Sequence, residues 1–529
     1  MHNSVLLRAT CLVFAGALLT ARAELAMPSV LSSRMVLQRD QPVPIWGTAD
    51  AGARITVAFA DQQRETAADA TGRWLVRLDP LKSAAAGRSM TIVAVDPQGK
   101  REERLLDDVL VGEVWVGSGQ SNMDMPVQLY TGQDPVLAAA AAQSYPDVRL
   151  IRSCDSGWYA SDPVTNQNFS ALLLTFGLAL HRELGVPVGL MEGAVGGTPS
   201  GAWLSRQAYD AAPACTAAVA QAVSTFDADA HAQRCAEQLQ SWSNLVAQAV
   251  ATSNRPPRQP RLPLTPGECR FPVGHLYEKH IRPFQPFAIR GVLWDQGESG
   301  TGIGGVPQPP LMGALIRSWR AEWRTAGGAG ASAVDFPFLF VQKPNGGGCA
   351  WDPADPVTAR ADPWVPLPAL PSVNGLNREE HAGIAAVTGT AMVISSDLGS
   401  GTHPVNKSGY GERAARVALG KVYGRTVAVS GPVYASHRIE ESRVRVQFAH
   451  VGQGLAWRHG ERLQGFAVAG EDRQFRWADA VIEGDSVVVS ADGMAKPVAV
   501  RYAWSQAHPW ANLFNKDGLP AVAFRTDNW

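Results

Sequence analysis

Two serines, two glycines and two amides are crowded into Gly117-Ser-Gly-Gln-Ser-Asn-Met-Asp124, directly after the apolar run VLVGEVWV. Ser121 is the residue of this turn best suited to act as a nucleophile. It would stand where a buried strand gives way to a helix, a place that exposes a hydroxyl and aims the first helical N–H groups at an anion. Read alone, the same position equally suits a helix N-cap, because serine is a common one. The α/β-hydrolase elbow G-x-S-x-G is disfavoured, since Met123 stands where that motif ends in glycine.

A nucleophilic serine needs a base and donors for the developing oxyanion. His403, in Gly401-Thr-His-Pro404, is the histidine best placed for the first role. It lies in a loop after the apolar run TAMVISSD, and a helix-like segment begins at Lys407. Gly196-Gly197-Thr198 ends the run VPVGLMEGAV, and a glycine pair there lets a backbone N–H approach a ligand closely. A plain tight turn would use the same residues. Metal chemistry is not expected: His275 and His280 are five residues apart, wrong for one helix face, and H-E-x-x-H is absent. Gly300-Thr-Gly-Ile-Gly-Gly305 matches a dinucleotide fingerprint, but Val306-Pro-Gln-Pro-Pro310 follows, and no helix is expected to start there.

These turns need a frame. The runs VLVGEVWV, VPVGLMEG, IRGVLWDQ, FPFLFVQ and TAMVISSD are short, unalternating and separated by helix-like segments, as strands buried on both faces are. Residues 109–430 therefore read as an α/β unit with a parallel sheet. Its functional groups should gather beyond the carboxyl ends of the strands, where GSGQSNMD, EGAVGGTPSG, DQGESG and SDLGSGTHP all lie. Within it, 205–265 and 344–385 read as surface insertions. Residues 24–108 and 431–529 read as β-rich flanking modules, from alternations such as Ile55, Val57, Phe59 and Val444, Val446, Phe448.

The first 23 residues read as a secretory signal peptide cleaved after Ala23, which implies a secreted or periplasmic protein. No later apolar segment is long enough to span a bilayer. With 18% charged residues, a formal net charge of -1 and no Lys/Arg block, neither nucleic acid nor an anionic membrane is an expected partner. Five cysteines remain after cleavage, widely spaced, with Cys215 and Cys235 the pair most suited to a bridge.

Together the motifs resemble the sialate O-acetylesterase-like carbohydrate esterases of the SGNH hydrolase superfamily. The resemblance rests on VGEVWVGSGQSNMDMPV, GAVGGTPSGAW, IRGVLWDQGESG and HPVNKSGYGERAARVALGKVYG, flanked by PSVLSSRMVLQRDQPVPIWGTADAG and VRYAWSQAHPWANLFNKDGLPAVAFRTD. It implies an SGNH-type, flavodoxin-like parallel-sheet domain that removes acetyl groups from sugar hydroxyls without a cofactor. Its substrate would be an acetylated carbohydrate, such as a sialic acid ester or a cell-wall glycan. In that family pattern Ser121 is the nucleophile and His403 the base, with Ser121, Gly196 and the Gln296 side chain as oxyanion donors. Two departures stand out: the acid usually found three residues before the histidine is Ser400 here, and Gly300 follows QGES where asparagine is usual. Asp397, at a strand end, is the expected substitute acid. The competing readings are a non-catalytic carbohydrate-binding protein and a lipase-like serine hydrolase. An intact Ser121 and His403 argue against the first, and the lack of an apolar lid against the second.

Overall fold

The computed structural model describes residues 24–328, 335–371 and 374–529, and the expected signal peptide lies outside them. Six strands form a parallel sheet: β1 (Arg101–Gly119), β2 (Tyr145–Arg152), β3 (Val188–Ala194), β4 (Gly291–Asp295), β5 (Phe338–Val341) and β6 (Thr390–Val393). Their spatial order is β6-β5-β4-β1-β3-β2, and a short antiparallel strand, Tyr159–Ser161, closes the β2 edge. β2 was not among the expected runs. Arg149 sits in its middle, buried and ion-paired to Asp108 at 2.7 Å, which breaks the apolar pattern in YPDVRLIR.

Helices cover both faces. They include α1 (Ser121–Asp124), α2 (Ala171–Leu184), α3 (Gln308–Gly327) and α4 (Lys407–Lys421). The two-residue alternation of the strands feeds both cores. Trp294, Phe338 and Phe340 join Leu311, Leu315 and Trp319 of α3, whereas Leu293, Leu339 and Val341 join α2 and α4. Ser170 caps α2 by accepting from Leu173 N–H at 3.0 Å, and Asn406 caps α4 by accepting from Gly409 N–H at 3.1 Å. A helix does begin after the glycines of 300–305: Pro309 and Pro310 occupy the first turn of α3. The expectation that prolines would forbid it was wrong, because first-turn N–H groups lack helical acceptors in any case.

β1 runs through two environments. Its first half pairs antiparallel with Ala84–Val95 in the N-terminal β-rich region, and its second half is the centre of the parallel sheet. The strand is continuous across residues 108 and 109, and Ile55, Val57 and Trp74 share one hydrophobic core with α3. After α4 come two four-stranded antiparallel sheets around Val446, Phe466, Val489 and Tyr502. No helix among the described residues is long and apolar enough to cross a membrane.

The two expected insertions differ. The helix Ala228–Ala251 buries none of its residues. The Pro/Gly-rich stretch after residue 343 is no surface feature at its start: Asn345, Cys349 and Ala350 are buried. Gly346 has φ 57°, and a Cβ there would come 2.2 Å from the carbonyl carbon of Gly399, so this backbone packs directly on the turn that precedes His403. Cys215 and Cys235 are both free, the former buried, and the expected bridge is not made.

Candidate active site

The carboxyl end of β1 meets that of β4. Gly119 has φ 130°, and a Cβ there would lie 2.2 Å from the Asp295 carbonyl oxygen, so only glycine fits. Gln120 N–H donates to that same carbonyl at 2.9 Å. The N–H groups of Met123 and Asp124 then return to Gln120 C=O at 2.8 and 3.0 Å, closing α1. Gln120 is the N-cap and Ser121 the first helical residue, so the serine hydroxyl is not used for capping. Ser121 Oγ instead lies 2.9 Å from His403 Nε2, a residue 282 positions away in the chain. Ser121 N–H has no acceptor among the described residues, as the first amide of a helix allows.

A buried polar network holds the histidine loop. Asn122 Nδ2 donates to Thr402 C=O at 2.8 Å and to Glu298 Oε1 at 2.7 Å, and its Oδ1 accepts from Lys407 Nζ at 2.6 Å. Asn345 Nδ2 reaches Gly401 C=O at 3.3 Å and Glu298 Oε1 at 3.0 Å. Lys343 Nζ ties Glu298 (2.7 Å) to Asp295 (2.5 Å). Two carbonyls just before His403 are thus anchored by two asparagine amides, and these are fixed in turn by one carboxylate and two lysines. Burial drives the Lys407 ammonium down to about 7. Besides Asp295, five residues of this network carried no expected role. Asn122, Glu298 and Lys407 stood inside the GQSNM, QGES and HPVNK motifs, whereas Lys343 and Asn345 fell in or beside a stretch read as surface.

Three expected roles change. Asp397 does not hold His403: its carboxylate is fully buried and forms a two-point ion pair with Arg413, Nη1 to Oδ1 at 3.0 Å and Nη2 to Oδ2 at 2.8 Å. The anion that acts on His403 is Glu298, which raises the imidazole pKa against the lowering by burial and by Lys407. Gln296 is not available as an oxyanion donor either. Its Nε2 donates to Gly300 C=O at 2.8 Å and to Thr198 C=O at 3.4 Å, and its Oε1 accepts from Gln308 at 3.3 Å. Gly196 does lie beside the serine, since a Cβ on it would be 3.5 Å from Ser121 Cβ. Its N–H, however, donates to Asp124 Oδ2 at 2.9 Å, and burial holds that carboxyl above its usual range.

The revised place of Gln296 has a measurable consequence. Gln296→Ala would leave the buried Thr198 carbonyl, the partly buried Gly300 carbonyl and the Gln308 amide short of partners. Such losses cost about 1–3 kcal/mol. The expected result is a clear fall in melting temperature with less than a tenfold change in ester turnover. A loss of a hundredfold or more in turnover at unchanged stability would restore the oxyanion role.

No protein-family model matches the chain. It is 29% identical over 341 residues to a sialate O-acetylesterase of Mus musculus, covering 59% of each chain. Against the sialate O-acetylesterase of Pongo abelii it is 25% identical over 550 aligned residues, 94% of this chain and 92% of the other. A carbohydrate acetylesterase from Xanthomonas citri, known from its crystal structure, matches with a TM-score of 0.71 and 29% identity over 96% of this chain and 100% of that one. The chain is similar to sialate O-acetylesterases and to a carbohydrate acetylesterase. The likeness to the Xanthomonas citri enzyme extends through the β-rich parts as well as the parallel sheet, whereas the match to the mouse relative spans 59% of that protein's length.

Proposed function

We propose that this protein is a serine-dependent carbohydrate O-acetylesterase of SGNH type, exported from the cell, that removes acetyl groups from sugar hydroxyls. One observation carries the reading: Ser121 Oγ and His403 Nε2, from opposite ends of the α/β unit, meet at 2.9 Å beyond the carboxyl ends of the parallel strands. The likeness to sialate O-acetylesterases and to a carbohydrate acetylesterase supplies the substrate class.

The chemistry follows from the pair. Ser121 Oγ attacks the acetyl carbonyl carbon while His403 Nε2 takes the hydroxyl proton. The tetrahedral anion forms against the Ser121 N–H, and against Gly196 N–H if Asp124 yields it. His403 returns the proton to the sugar oxygen as the carbon–oxygen bond to the sugar breaks, leaving acetyl-Ser121. Water, deprotonated by His403, attacks this ester and releases acetate. Asn122 and Asn345 keep the imidazole in place by holding the carbonyls of Thr402 and Gly401. Acetate release from a panel of acetylated sialosides, xylan, xyloglucan and pectic chains tests the reading and names the substrate. Preference for a long-chain ester over all of them would contradict it.

The base must be neutral to accept a proton. Burial first, and then the Lys407 charge, lower the His403 pKa from 6.5. Activity should therefore fall with decreasing pH through a midpoint below 6.5 and stay high at pH 7. Lys407→Met removes one of the lowering charges, so the midpoint should move upward. A wild-type acid limb centred above 6.5, or one that Lys407→Met moves downward, would contradict this assignment of the base.

A further inference from the structure

A groove runs between the N-terminal β-rich region and α3, away from Ser121. Two neighbouring cavities of about 760 Å³ and 680 Å³ share Arg73, Gln285 and Ala326 in their walls. The fold leaves polar groups in these walls unsatisfied. Trp74 is only 3% exposed, and its Nε1–H has no acceptor among the described residues. Gln285 Nε2 and Glu322 Oε2 are also without partners there, although Gln285 Oε1 accepts from Tyr277 and Glu322 Oε1 from Ser205. Folded proteins rarely leave buried polar atoms in this state.

The charges are uneven. Arg73 lines both cavities and Arg317 the larger one. Both are exposed, and neither guanidinium has a hydrogen bond or ion pair among the described residues. Of the acidic residues in the walls, Asp69 is turned onto Thr71 and the Arg73 backbone, which leaves Glu322 as the one facing carboxylate. Trp46, half-buried in the smaller cavity, touches Phe287 edge to face, so its ring is not stacked on that neighbour.

We propose that this groove binds an anionic oligosaccharide, a chain of sugar rings bearing carboxylates, at a second site distinct from the Ser121 centre. Sugar hydroxyls both donate and accept, and so meet the Trp74 and Gln285 donors and the Glu322 acceptor together. Carboxylates suit the forked donors of Arg73 and Arg317. Trp46 offers a ring to stack on. The geometry also relates the groove to the esterase site. Gln308 opens α3 and bonds Gln296 there, while Arg317 and Ala326 lie further along the same helix. At 1.5 Å per residue these stand roughly 14 and 27 Å from its start. The binding does not depend on the esterase reading.

Calorimetric titration of the full chain with hexagalacturonate, and with neutral xylohexaose for comparison, tests the proposal. The anionic hexasaccharide is expected to bind at least tenfold tighter than the neutral one. The double variant Arg73→Ala/Arg317→Ala should weaken it a further tenfold or more, and Trp46→Ala should weaken it as well. Hydrolysis of 4-nitrophenyl acetate should be unchanged in each variant. No binding of hexagalacturonate, equal binding of xylohexaose, or full affinity in the double variant would overturn the proposal. Failure of the wild type to hydrolyse 4-nitrophenyl acetate would count against the esterase reading instead.

Discussion

Ser121→Ala is expected to lower ester turnover by roughly 10⁶-fold, the scale on which a serine hydrolase suffers when its nucleophile is removed. The substitution deletes one oxygen at a position that is 7% exposed. It removes no cap, because α1 is closed by Gln120 C=O and not by the serine hydroxyl. The melting temperature should therefore change little. This split separates a chemical role from a structural one, since a structural serine would lower stability and turnover together. His403→Ala should match the loss in turnover, and the double variant should be little worse than either single one, because the two side chains act as one unit. Additive losses in the double variant would show that the pair at 2.9 Å does not work together.

Asp397→Asn should have its large effect on stability and not on chemistry. The Asp397 carboxylate is buried against Arg413, whose side chain is 4% exposed, and removing one partner of such a pair costs about 3–5 kcal/mol. The amide keeps the shape but leaves the Arg413 cation uncompensated. The melting temperature should drop by several degrees or more, with turnover of the folded enzyme reduced tenfold or less. If Asp397 were the acid of a triad, its amide would cost about 10⁴ in turnover by favouring the wrong imidazole tautomer. The position three residues before the histidine offers no alternative acid, because Ser400 Oγ donates to Asp362 Oδ1 at 3.1 Å. Ser400→Asp would set two carboxylates together, and it is expected not to raise activity.

The contrast between these residues shows what a single sequence can carry. Strands buried on both faces leave apolar runs, so β1, β3, β4, β5 and β6 were legible. β2 was not, because Arg149 interrupts its run and finds its partner, Asp108, on a different strand. The meeting of Ser121 with His403 was legible because both sit in short turns at strand ends, with few other residues that could pair there. The role of Asp397 was misread for a tertiary reason. A carboxylate at a strand end can face the histidine loop or the helix behind it, and the choice depends on Arg413, inside α4, whose pairing its place in the motif does not reveal. Gln296 was misread because an amide can point its donors at a ligand or at neighbouring carbonyls, and spacing does not distinguish the two. Lys343 and Asn345 were passed over because Lys-Pro-Asn-Gly-Gly-Gly looks like an exposed loop. Its glycines instead allow the backbone to pack on the Gly399 turn.

The most direct test of a nucleophilic serine is covalent. Wild-type protein treated with a fluorophosphonate, digested and mapped by mass spectrometry should carry one adduct, on Ser121, and the His403→Ala variant should be labelled far more slowly. An adduct on any other residue, or an unlabelled Ser121 in protein that hydrolyses acetyl esters, would contradict the account.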